Sequence, residues 1–157
     1  MSEELYIGTK IINAEPMTRQ QYNDFRGWEL PNDKDGTDEG YLVEYLDGGK
    51  PNTDMYAGYV SWSPKEQFEN AYRKTSGLSF GLAVEALRKG YKVARAGWNG
   101  KGMWLKLVTK GYFDIGCSIV EGVGLLPFIG MKMADNNFVP WLASQTDILA
   151  DDWQIIE

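Results

Sequence analysis

Apolar and polar positions along this chain change period several times, and each change marks an element. Tyr6 to Ala14 alternates with a period of two and is rich in β-formers, which predicts a strand. Thr18, with Gln21 three residues on, makes a capping box that opens a short helix through Phe25, closed by Gly27-Trp28. Residues 31–40 form an acidic polar loop. Tyr41 to Tyr45 then returns to a β-rich pattern, and Asp47-Gly48-Gly49 supplies turn chemistry before a second strand, Gly58 to Trp62. Ser63-Pro64-Lys65-Glu66 combines an N-cap, a Pro at the first helical position and an early acid. It predicts a helix to Arg73 with Phe68 and Tyr72 at i and i+4.

Thr75-Ser76-Gly77 breaks the pattern, which predicts a boundary between residues 1–75 and 76–157. Beyond it, Ser79 caps a helix with Phe80, Ala83, Val84 and Leu87 on one face, and Lys89-Gly90 stops it. Tyr91 to Trp98 and Met103 to Val108 read as strands around Asn99-Gly100, a strong hairpin signal. Residues 109–126 are Gly-rich and apolar without a clean period. Phe128 to Met133 and Phe138 to Trp141 predict another hairpin through Asp135-Asn136-Asn137; Ser144 to Asp147 caps a last helix, and Trp153 to Ile156 returns as a strand. The expected fold class is α+β: two small units, each an antiparallel β-sheet with hairpins packed against one or two short helices. The halves echo each other, with Arg26-Gly27-Trp28 and Val60-Ser61-Trp62 against Arg95-Ala96-Gly97-Trp98 and Val139-Pro140-Trp141. Duplication and chance both produce such an echo.

Composition narrows the chemistry. The 157 residues include one Cys, Cys117, and no His, which excludes an internal disulfide, the common structural zinc sets and any His-dependent triad. No secretory signal and no membrane span is expected, so the predicted location is the cytoplasm, in this case that of an infected bacterial host once the resemblance below is added. Of the net charge of −6, all falls on residues 1–74, where 14 acids meet 8 bases. In the second half, residues 86–113 carry Arg88, Lys89, Lys92, Arg95, Lys101, Lys106 and Lys110 with no acid among them. The overall charge argues against polymeric nucleic acid, whereas the local cluster can hold a small anion such as a nucleotide. A solvated face of lysines would read the same way.

Enzymatic readings are weak. Asp147, Asp151 and Asp152 are the candidate acids, but capping accounts for Asp147, and Asp151-Asp152 reads as an exposed turn. Gly97 to Gly102 lacks phosphate-loop spacing, and no acidic cluster suits a metal, so no catalytic residue, metal or cofactor is expected. A binding reading has more behind it. Arg95, Trp98, Asn99 and Lys101 fall within seven positions and offer a guanidinium for phosphate, an indole for a base and an amide for base or ribose edges. Phe80 or Trp141 would supply a second aromatic wall. The competing reading places Trp98 and Trp141 in the core.

Residues 79–108, SFGLAVEALRKGYKVARAGWNGKGMWLKLV, and 127–155, PFIGMKMADNNFVPWLASQTDILADDWQI, resemble the second-type Thoeris anti-defence family of small phage domains. That resemblance covers residues 78–156. It implies a non-enzymatic sponge that binds the cyclic ADP-ribose derivative made by Thoeris TIR proteins, glycocyclic ADP-ribose (gcADPR), and sequesters it without cleavage. It also implies homo-oligomers, typically tetramers, with pockets between subunits, and in some members a separate site for cyclic dinucleotides. With the local chemistry, it assigns Trp98 and Trp141 to base or ribose packing, Phe80 to the opposing wall and Arg95 to the pyrophosphate. Asn99 and Asp147 are assigned to hydrogen bonds with ribose or base. Residues 6–73 are similar to a separate short phage family of unclear role. A structural or protein-interaction adaptor is the alternative function.

Overall fold

In the computed structural model, residues 4–98, 102–109 and 126–157 are described. The chain divides into two compact units, the first ending at Tyr72 and the second beginning at Arg73. Both are antiparallel sheets with short helices, an α+β fold.

The first unit runs β1 (Ile12–Pro16), α1 (Arg19–Arg26), β2 (Gly40–Tyr45), β3 (Tyr59–Pro64) and α2 (Lys65–Ala71), with sheet order β1-β2-β3. The Thr18 and Gln21 capping box forms, and Gly27 closes α1 at φ 65°, a left-handed conformation that glycine adopts without a Cβ penalty. Tyr22, Leu42 and Val60 make the core, edged by Met17, Phe25, Tyr56 and Trp62. The buried Glu44 is paired: Asn13 and the Gly58 N–H donate to its carboxylate and hold it below the usual range.

Three sequence expectations differ from the structure of this unit. The first strand begins at Ile12 rather than Tyr6, because its partner β2 ends opposite it at Tyr45 and the chain then turns. Ser63 does not cap α2: Ser63 and Pro64 remain in β3 opposite Tyr41 and Gly40, and the Lys65 N–H still bonds the Glu39 carbonyl at 3.1 Å. The sheet ladder holds the backbone that a cap would have used. The helix also ends at Ala71, with Tyr72 extended.

The second unit runs α3 (Phe80–Arg88), β4 (Lys92–Arg95), β5 (Trp104–Val108), β6 (Phe128–Lys132), β7 (Phe138–Pro140), α4 (Gln145–Ile148) and β8 (Trp153–Ile156). Its sheet order is β7-β6-β5-β4-β8, so the last strand crosses back to pair with β4. Ser79 caps α3, whose Ala83, Ala86 and Leu87 are buried against Leu78, Val93, Leu105 and Trp153. Phe80 and Val84, placed on the same face by the sequence pattern, are half-buried at its margin. The β6–β7 hairpin forms as expected, with Asn136 in the left-handed region at φ 73°. Phe138 lies across Gly130, where a Cβ would run into its ring. The expected strand Tyr91 to Trp98 stops at Arg95: the Ala96 N–H makes the last in-register bond to β8, to the Asp152 carbonyl at 3.0 Å, and the chain then turns, with the Trp98 N–H bonding the Arg95 carbonyl at 3.3 Å. Asn99-Gly100 and most of 109–126 lie outside the described residues. The echo between the halves does not extend to topology, since one sheet is a three-stranded meander and the other has five strands.

Candidate functional site

Four aromatic rings and three charged side chains meet where β4, α4 and β8 come together. Trp153 is the centre. It opens β8, is fully buried, and its indole N–H donates to the Asp147 carbonyl at 2.9 Å. Three of the sequence-predicted residues pack around it: Trp98 edge-on at 5.5 Å between centroids, Trp141 edge-on at 5.9 Å, and Phe80 tilted at 5.6 Å. All three are half-buried. Trp98 and Trp141 meet at 6.4 Å and 64°, and Phe80 meets Trp141 at 6.2 Å and 52°. Such tilted pairs are favoured by the ring quadrupoles. Within one chain they form a ridge of aromatic edges and faces rather than two parallel walls. Trp98 and Trp141 pack against the core cluster and stay partly exposed, so the core reading accounts for part of each residue's surface.

Arg95 ties this ridge to the loop that follows β4. Its Nε donates to Asp152 Oδ1 at 2.8 Å and its Nη1 to Asp147 Oδ1 at 3.0 Å. Asp152 uses its other oxygen to accept from the Gly97 N–H at 3.0 Å. Asp147 uses its other oxygen to accept from the Ser144 N–H and hydroxyl, completing the α4 capping box. The Arg95 hydrogen bond, assisted by the Gly97 N–H, outweighs burial and holds the Asp152 carboxyl below the usual range. For Asp147 burial pushes upward, but Ser144 and Arg95 together overcome it. Asp152 first, then Asp147, raise Arg95 in turn. Both carboxylates are thus ionised at neutral pH, and two negative charges surround one guanidinium.

Phe80, Arg95, Trp98, Trp141 and Asp147 are brought together by the fold, and Asn99 lies outside the described residues. Two participants were missed. Asp152, expected in an exposed turn, is half-buried and bonded to Arg95, while Trp153 was read only as the first residue of a strand. Their signal was present: an acid followed by the largest apolar residue at a strand entry, opposite an Arg-bearing strand. The register Arg95 to Trp153 makes that juxtaposition real. Among the described residues no group of His, Cys, Asp and Glu is arranged to hold a metal ion, and no helix is long and apolar enough to cross a membrane.

Residues 78–156 match the family described as the Thoeris anti-defense 2-like domain. The chain is also 43% identical over 84 residues to "Thoeris anti-defense 2" of Bacillus phage SP01, covering 50% of this chain and 94% of that relative. The matched span contains the whole aromatic ridge and the Arg95 clamp.

Proposed function

The chain belongs to the Thoeris anti-defense 2-like family and so is a phage-type anti-Thoeris protein, and from that premise we propose that its second unit is a sponge. It binds the cyclic nucleotide signal of Thoeris, gcADPR, and withholds it intact from the effector. The observation that carries this reading is the ridge of half-buried Trp98 and Trp141, held by buried Trp153 beside the Arg95 clamp. A base or ribose packs on an accessible indole face, a contact that contributes on the order of 1–3 kcal/mol. Phe80 closes the far side of the ridge. Asp147 accepts from ribose or base, and Asn99 donates to them.

Arg95 spends two N–H groups on Asp152 and Asp147 and keeps others for a pyrophosphate oxygen. Since the carboxylates outnumber it, a bound pyrophosphate needs further cations, and the lysines of 86–113 or a second subunit provide them. Leu142, Ile148 and Leu149 are exposed beside Trp141 and along α4. A neighbouring copy covers them, completes the pocket and builds a homo-oligomer, a tetramer in this reading. Cyclic dinucleotides, in this reading, would take a separate site, as the resemblance implies for some members. The role is one of binding rather than catalysis, exerted in the host cytoplasm where the signal is made.

The test is to incubate the purified full chain with gcADPR, remove free ligand, heat the protein and identify what is released. Intact ligand that still activates the Thoeris effector is expected. Linear ADP-ribose products would mean an enzyme, and no release would leave the adaptor reading in its place.

A further inference from the structure

Ahead of β1 the first unit carries an arm that its own sheet leaves unpaired. Residues 4–11 precede β1 without belonging to any strand, yet their alternation is that of a strand: Leu5, Ile7, Thr9 and Ile11 against Glu4, Tyr6, Gly8 and Lys10. Leu5 and Ile7 are fully exposed, and Tyr6 is 82% exposed. Lys10 nevertheless continues the register of β1. It sits opposite Asp47, two residues beyond the Ile12 to Tyr45 pair, bonds it at 2.6 Å and lies over the Tyr45 ring.

The direction of the free backbone groups follows from hydrogen bonds in the sheet. Met17 N–H bonds the Gly40 carbonyl, so odd-numbered residues of β1 face β2 and even-numbered ones face outward. The outer edge of β3 is already blunted: the Asn52 carboxamide bonds both the N–H and the carbonyl of Val60 at 2.9 and 2.8 Å, and Pro64 has no N–H. On β1, Pro16 blunts only the far end. The open edge therefore runs from Ala14 back through the arm.

We propose that this arm pairs antiparallel with the same arm of a second copy, across a two-fold axis through Ile7. A two-fold ladder must place a residue opposite itself, and outward-facing even residues must meet even residues. The Ile7-centred register satisfies both. It sets Glu4 opposite the partner's Lys10 twice, Tyr6 opposite Gly8, Leu5 opposite Thr9 and Ile7 opposite Ile7. Opposite charges meet, and the apolar row of one arm lies beside that of the other. The neighbouring registers, centred on Gly8 or Tyr6, would set Glu4 opposite Ile12 or Gly8 and leave the opposite charges unmatched. The contact belongs to the first unit and does not depend on the ligand reading of the second.

Cysteine scanning in the full chain, with Cys117→Ser as background, tests it. Ile7 lies at a non-hydrogen-bonded pair, where the Cβ atoms of facing residues are close enough for a disulfide. Ile7→Cys should convert most of the chain to a disulfide dimer under mild oxidation, while Leu5→Cys, four positions out of register with its own copy, should not. Glu4→Lys should slow the Ile7→Cys cross-link several-fold, and adding Lys10→Glu together with Asp47→Lys, which keeps the pair between positions 10 and 47, should restore it. No cross-link at Ile7, equal cross-linking at positions 5 and 7, or partition of the arm into neutral phospholipid vesicles in place of dimerisation would each overturn the proposal.

Discussion

Trp153 and Trp98 touch each other yet answer to different constraints. Trp153 has no exposed surface, so Trp153→Ala removes a fully buried indole and costs about 3–5 kcal/mol, enough to unfold a marginal unit. Trp98 is half-buried, so Trp98→Ala costs about 1–2 kcal/mol, and the protein stays folded while ligand affinity falls about tenfold or more. Chemical denaturation and ligand titration on both variants check this; equal destabilisation with unchanged binding by Trp98→Ala would place it wholly in the core. Arg95 has its own signature. Asp152 and Asp147 are held below their ordinary range, so the clamp's contribution is complete above about pH 4 and is lost as pH falls through the lowered values. The stability gap between the parent and Arg95→Met should therefore be widest at neutral pH and narrow in acid. A gap unchanged down to about pH 2 would remove the ion pairs as its cause. The sequence placed Arg95, Trp98, Trp141, Phe80 and Asp147 as candidates because their types carry their chemistry openly. Asp152, weighed only as an acid in an exposed turn, and Trp153 were not placed with them, because their roles come from the pairing of β4 with β8, where Asp152 meets Arg95 across 57 residues of chain.

Among the elements, three predicted caps formed and one did not, and the difference is physical. Thr18, Ser79 and Ser144 each accept from a backbone N–H three residues on, within one helical turn, an interaction settled within four residues. Ser63 has the same local signature, but a non-local ladder to Tyr41 claims its backbone first. Ser144→Ala should cost about 1 kcal/mol and, by releasing the Asp147 carboxylate, weaken ligand binding; Ser63→Ala should leave stability within about 0.5 kcal/mol of the parent. Urea melts read the difference directly, and a large loss at Ser63 would restore it as a cap. Strand limits were less legible than helix starts for the same reason. β1 begins late because β2 ends opposite it at Tyr45, and β4 ends early because the chain turns after Ala96, where the Asp152 carboxylate takes the Gly97 N–H. Neither cause is written near the residue it affects.

For the whole molecule, the α+β class and the family were legible because they rest on many local signals and on long dense motifs, whereas assembly rests on surfaces that composition does not display. Two such surfaces now stand out: the arm of residues 4–11, and the apolar residues Leu142, Ile148 and Leu149 beside the aromatic ridge. With both proposed contacts made, the chain would assemble beyond a dimer, and a tetramer would be the smallest closed result. The two contacts separate by mutation. Leu149 is 76% exposed, so Leu149→Glu should leave the folded chain as stable as the parent, while burying a carboxylate under a neighbouring copy disfavours that contact. Light scattering of the 17.7 kDa chain should then report a dimer, joined through the arms, that has lost most ligand binding because its pocket lacks the second subunit. Tyr6→Pro removes a partner-facing N–H from the arm and should also lower the mass, but ligand binding should survive. If Leu149→Glu assembles and binds like the parent, the pocket is complete within one chain, and the exposed apolar residues around α4 serve some other partner.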